Sequence, residues 1–197
     1  MTRLDQVLAA IDAANSRDPG RDAETGEPAS LLYGRRMSGA LADFHPQAGE
    51  ELRIAVRGQH IERWTVPRDG FPMDRAGYHR WRNTLKQVHA ERLAAIMRDA
   101  GYDGEAAARV GSIVRKERFR LDPEAQALED VACLVFLRFY AAPFAAKHPP
   151  DKVEGIIAKT WGKMSAQGQE AARGLRLDPV VAARVEAALE RPSTAET

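Results

Sequence analysis

The sequence predicts an all-α fold, a single-domain helical bundle of about eight helices. Apolar residues recur with a period near 3.6 almost everywhere, and the long Val, Ile and Thr alternation of half-buried strands is missing. A chain of 197 residues also suits one domain, and it can bury well over half of its unfolded surface without a disulfide or structural metal.

The elements follow from the stripes and their punctuation. Leu4, Val7, Leu8 and Ile11 form the first stripe, capped by Thr2. A Gly-, Pro- and Asp-rich loop follows from Ser16 to Ala29. Ser30 is the expected cap of a second helix carrying Leu31, Met37 and Leu41, and a third helix is expected from about Ala48 to Trp64. Pro67, Gly70 and Pro72 mark a loop. A long fourth helix runs from about Gly77 to Ala100, with Gly101 where a terminal cap glycine belongs. Asp103 opens a fifth, ending near Glu117, and Asp122-Pro123 opens a sixth, which Pro143 should kink or end. Pro149-Pro150-Asp151 starts the seventh and Asp178-Pro179 the last. One domain over residues 1–191 is expected, with residues 192–197 fraying.

Composition narrows the classes. The formal net charge is only +1, which weighs against a polyanion-coating protein. No stretch approaches the roughly 20 apolar residues of a membrane span, and the first residues lack the basic cluster and apolar core of a signal peptide, so cytoplasm is the expected compartment. The single cysteine, Cys133, lies in an apolar run and reads as a small buried hydrophobe. Trp64, Trp81 and Trp161 read as core anchors, and His45 and His148 as surface residues.

Charge is nevertheless uneven. Between Arg53 and Arg92 there are nine Arg/Lys and four Asp/Glu, a net of +5, and three of the five histidines. A basic segment in a neutral chain points to a local anionic ligand. On the third helix Arg53, Arg57, His60, Ile61 and Trp64 recur at three- and four-residue steps, and on the fourth Arg82, Lys86 and His89 do the same. If the two helices are antiparallel neighbours, His60 and His89 converge with the arginines around them. Glu129-Asp130, just before Val131-Ala132-Cys133-Leu134-Val135-Phe136, places carboxylates in a very apolar helix, where burial is costly unless they are paired or metal-bound.

Two imidazoles and a carboxylate suit a divalent transition metal such as Mn, Fe, Zn or Ni, and a bound metal can make hydroxide near neutral pH. His60, His89 and Asp130 are the candidate ligands, Glu91 and Glu129 the candidate general base or fourth ligand. Arg57, Arg82, Lys86 and Lys116 are the candidate phosphate receivers, through charge-assisted hydrogen bonds. Plainer readings stand beside these: histidines at the border of apolar stripes, arginine stripes as solvated faces, and Glu129 and Asp130 paired with Arg115, Lys116 or Arg118. The Gly-rich phosphate loop, paired-cysteine zinc pattern, His-Glu-x-x-His and Gly-x-Ser-x-Gly are all missing.

The run Arg57-Gly58-Gln59-His60-Ile61-Glu62-Arg63-Trp64 with Pro67-Arg68 resembles an uncharacterised family, domain of unknown function 4202. So do Gly77-Tyr78, Trp81-Arg82, His89-Ala90-Glu91, Arg115-Lys116-Glu117, Leu128-Glu129-Asp130 and Lys159-Thr160-Trp161 through Lys163-Met164-Ser165. This resemblance covers nearly the whole chain and transfers no activity. In the order of His60, His89 and Asp130 the chain is also similar, more weakly, to the helical HD phosphohydrolase superfamily. Members of that superfamily bind metal through a lone histidine, a later His-Asp pair and a distant aspartate. Ala90 stands where the aspartate of the pair belongs, and Glu91 lies about 200° around the helix from His89.

The expected function is therefore a metal-dependent phosphohydrolase on a small phosphorylated substrate such as a nucleotide. The alternative is a non-catalytic helical module that binds an anionic ligand or RNA.

Overall fold

The computed structural model describes residues 1–190, the side chain of Glu190 apart; the expected fraying over 192–197 lies outside the described residues. Among these residues the fold is all-α, with ten α-helices and no strand beyond an isolated bridge between Arg21 and Pro28. The helices are α1 (Arg3–Asn15), α2 (Ala29–Phe44), α3 (Glu50–Gly58), α4 (Arg75–Asp99), α5 (Gly104–Arg115), α6 (Pro123–Val135), α7 (Ala141–Ala145), α8 (Pro150–Trp161), α9 (Ala166–Arg173) and α10 (Pro179–Glu190). No described helix is long and apolar enough to cross a membrane. The chain forms two compact units, residues 1–128 and 129–197, with the boundary inside α6.

In the first unit, α3 packs against α1, α2, α4 and α5, and α4 packs along α5. Ile11, Met37, Leu52, Ile54, Ile61 and Leu93 are fully buried there. Each buried side chain of this size contributes roughly 1.5–3 kcal/mol. The local signals for the helix starts are physical caps. Thr2 and Asp5 form a reciprocal capping box. Asp103 accepts from the Ala106 N–H at 2.8 Å, and Asp122 accepts from the Glu124 N–H at 3.0 Å. Gly101 takes the left-handed conformation, φ +81°, just beyond α4.

Ser30 is not the cap that the sequence suggests. The helix starts at Ala29 after Pro28, and the buried Asp18 carboxylate accepts both the Ser30 N–H and its hydroxyl, pinning the preceding loop. The third helix stops at Gly58 rather than Trp64. A Cβ at Gly58 would run into the Leu93 side chain of α4, so that side chain packs directly on the α3 backbone. Glu62 then takes φ +50°, its N–H donating to Asn15 Oδ1 at 2.9 Å, and Arg63–Thr65 forms a single 3₁₀ turn. The face shared by Arg53, Arg57, His60 and Trp64 is broken at that point. Trp64, Trp81 and Trp161 are only partly buried, so none is a core anchor.

In the second unit α10 packs against α7 and α8, with Val153, Ile157 and Ala188 buried together and Phe144 against them. Phe136–Tyr140 is a π-helical turn that leads into α7, which contains Pro143. Proline has no N–H to continue an α-helical ladder, and the wider turn before it absorbs that break. Helix α9 carries only Ala, Gly and polar residues, so no apolar stripe announces it. It is fixed by Asp130, which accepts the Ser165 N–H at 2.7 Å and the Ser165 hydroxyl at 2.6 Å. Gly168 is needed there, because a Cβ would stand 2.5 Å from Asp130 Oδ1. Cys133 is buried, its thiol directed at the Thr160 carbonyl.

The start of α4 offers a stability test. Asp74 caps it by accepting the Gly77 N–H at 2.6 Å, and a Cβ on Gly77 would overlap the Pro72 carbonyl. Since the obstacle is backbone, Gly77→Ala is expected to destabilise the fold by about 1–3 kcal/mol in urea denaturation.

Candidate functional site

Three stretches of the first unit build one cleft. The turn after α3 supplies Gln59, His60 and Arg63; α4 supplies Arg82, Leu85, Lys86 and His89; the end of α5 supplies Val114 and Lys116. On α4 the spacing of Arg82, Lys86 and His89 by four and three residues puts all three on one side of the helix. Counted out to its mouth the cleft holds about 320 Å³, but its enclosed part is near 20 Å³. That is room for little more than one water-sized group. Any ligand larger than that would keep most of its body in the mouth.

His60 and His89 meet here, ring centroids 6.1 Å apart and tilted by 46°. His60 is partly buried and stacks on Tyr33 at 4.4 Å, nearly parallel. Its pKa is held well below the usual imidazole value, first by burial and then by the charges of Arg63, Lys116 and Arg82 and the His89 ring. His89 is 2% exposed, and neither ring nitrogen makes a hydrogen bond of good geometry. Burial, then the Arg63 charge, pushes its pKa down to about 4, against a smaller opposing pull from the Ile61 backbone. A buried polar group without a partner costs roughly 1–3 kcal/mol. Such a group in a native fold is accounted for by strain, a catalytic role, or a bound water or ion.

The cations crowd one another. Burial and the neighbouring Arg82 charge both disfavour the Arg63 cation. The Arg63 guanidinium lies over the Trp81 ring at 4.6 Å, and Arg82 donates to the Tyr78 hydroxyl at 3.3 Å. Among the described residues neither arginine forms an ion pair, and the cleft lining contains no carboxylate. Lys116 reaches the site from a backbone at φ +58°, a conformation that costs a non-glycine residue of order 1–2 kcal/mol. Strain of this kind concentrates at functional sites.

The candidates separate accordingly. His60, His89, Arg82, Lys86 and Lys116 share the cleft. Arg57 does not line it: its guanidinium is engaged by Asp12 through a fork of 2.7 and 2.6 Å. Glu91 is exposed on α4 and is not in the lining. Glu129 and Asp130 belong to the second unit, both buried; Glu129 lies 3.6 Å from Lys163, and Asp130 holds Ser165. Among the described residues no group of three or more His, Cys, Asp or Glu side chains is placed to hold a metal ion. Arg63 and Gln59 are the members that sequence periodicity misses, because they follow a helix end that only a long-range contact creates.

These features define a class of all-helical proteins with a small, cationic, two-histidine cleft. The family model described as a domain of unknown function (DUF4202) matches residues 5–185, and the chain belongs to that family. No curated protein and no solved structure matches it.

His89 makes stability depend on pH with a definite sign. Above its ordinary pKa of 6.5 it is neutral folded or unfolded and contributes nothing to the dependence. Below that, the unfolded chain takes up a proton that the folded site refuses until about pH 4, so stability falls as pH drops through this window. The loss attributable to His89 is of order 3 kcal/mol. Chemical denaturation from pH 7 to 4 is expected to show a shallower decline for His89→Leu than for the wild type.

Proposed function

We propose that this protein binds a small phosphorylated molecule by its phosphoryl group in the His60–His89 cleft. The observation that carries the reading is a crowd of four cations, Arg63, Arg82, Lys86 and Lys116, around a lining without a carboxylate. Like charges held this close repel, and an oxyanion between them turns repulsion into charge-assisted hydrogen bonds. The enclosed end admits a group of about the size of one phosphoryl oxygen or water, which favours a phosphate arriving tip first over a wholly buried substrate. His89 offers a ring nitrogen to such a ligand. On this reading the cleft is a recognition site, and no chemical step is needed to account for its residues.

Titration calorimetry with inorganic phosphate and ribose 5-phosphate tests it. Both are expected to bind and to raise the melting temperature, as any ligand of the folded state does. Arg82→Ala is expected to weaken binding roughly ten- to hundredfold, the equivalent of about 1.5–3 kcal/mol for hydrogen bonds to a charged group. Equal affinity in the wild type and Arg82→Ala would defeat the proposal.

A second reading, metal-dependent phosphoester hydrolysis, is favoured by one specific observation. The two facing imidazoles both have depressed pKa values, so near neutral pH they are in the unprotonated form that a divalent metal requires. On this reading His60 and His89 would contribute ligands to the ion, and the metal would supply an activated water. Freshly purified protein is then expected to carry one Mn, Fe, Zn or Ni, lost in His60→Ala and in His89→Ala. Metal-free protein whose stability is indifferent to chelator would remove this reading and leave the binding proposal intact.

A further inference from the structure

The cleft is continuous with an aromatic surface that phosphate binding does not use. Along α4, Tyr78, Trp81, Arg82, Lys86 and His89 follow at steps of three, one, four and three residues, so one side of the helix runs from aromatic to cationic to imidazole. Tyr78 is 41% exposed, high for a large ring, and its orientation is fixed. Its hydroxyl accepts from Arg82, which itself lines the cleft, and its ring meets Trp81 at 5.9 Å. Trp81 is fixed in turn by its indole N–H, which donates to the Val66 carbonyl at 2.9 Å. Arg68 stands 6.0 Å from both rings, braced by donation to the Phe71 carbonyl at 2.9 Å.

A rigid, solvent-facing ring flanked by arginines is a stacking platform for a flat π-system, since bases and guanidinium groups both favour such faces. Its distance from the cations suits one connected ligand. Arg82 lies one helical turn from Tyr78, and Lys86 lies two turns, roughly 12 Å along the axis. The shallow cleft leaves the rest of a ligand outside it, on the side where Arg82 leads to Tyr78.

Resting on the phosphate-binding reading above, we infer that the ligand is a nucleobase carried on a phosphorylated sugar, its base stacked on Tyr78 and its phosphoryl group between Arg82 and Lys86. The phosphate supplies attachment, and the base supplies selectivity over other phosphate esters.

Titration calorimetry with ribose 5-phosphate, adenosine 5′-monophosphate and a short single-stranded oligoadenylate tests this on the full chain. Adenosine monophosphate is expected to bind the wild type roughly tenfold more tightly than ribose 5-phosphate. Tyr78→Ala removes that advantage, bringing the affinity ratio of adenosine monophosphate to ribose 5-phosphate to about one. Tyr78→Phe, which keeps the ring and loses only the hydroxyl, retains it. Equal binding of the two monophosphates to the wild type overturns the stacked base and leaves phosphate recognition standing. Binding of neither overturns both. An oligoadenylate that binds more tightly as it lengthens assigns the base to a strand, and one no tighter than the monophosphate assigns it to a free nucleotide; either result supports the platform.

Discussion

The close approach of Gly58 to Leu93 governs the rest of the first unit. At Gly58 the α3 backbone lies against the Leu93 side chain, in the last third of α4, with no space for even a methyl group between them. A helix pressed this closely to its neighbour can end there and turn back. The left-handed Glu62 and the Asn15 side chain complete the turn. The cleft follows from that geometry: His60 is brought opposite His89 and Arg63 over Trp81.

Electrostatics in the cleft carry an internal contradiction that the fold tolerates. Four positive side chains gather where two imidazoles are kept from becoming positive. Burial and neighbouring charge act in the same direction on both rings, so the site lowers its own charge by refusing protons rather than by recruiting carboxylates. Elsewhere in the unit arginines are neutralised directly, Arg57 by Asp12, Arg92 by Glu62, and Arg109 by Asp122 and Glu124. Arg63 and Arg82 stand in contrast, with no ion pair among the described residues.

Local chemistry was legible in the sequence wherever it acted locally. Helices with apolar stripes and polar caps, such as α1 at Thr2, α5 at Asp103 and α6 at Asp122, are written within four residues of their own start. The three α4 members of the cleft, Arg82, Lys86 and His89, are legible for the same reason, since their spacing matches one helical face. What escaped depends on partners far along the chain. Arg57 looks available until Asp12, 45 residues away, engages it. The end of α3 looks helical through Trp64 until Leu93 closes against Gly58. Helix α9 has too few large apolar side chains to betray itself, and Tyr78 and Trp81 gain meaning only once the loop containing Val66 and Arg68 folds over α4. Glu129 and Asp130, conspicuous as carboxylates in an apolar run, find their partners in Lys163 and Ser165, 34 and 35 residues further on.

The clamp between Asp130 and Ser165 bears on the order in which the second unit assembles. Ser165 accepts the Gly168 N–H to begin α9, yet its own N–H and hydroxyl are both spent on a carboxylate 35 residues upstream. Helix α9 spans eight residues, too short to persist alone in water. Its nucleation is therefore a tertiary event: the strand of chain between the two residues must close into a loop before the last but one helix has a beginning. One carboxylate thus holds both bonds on which the start of this helix depends.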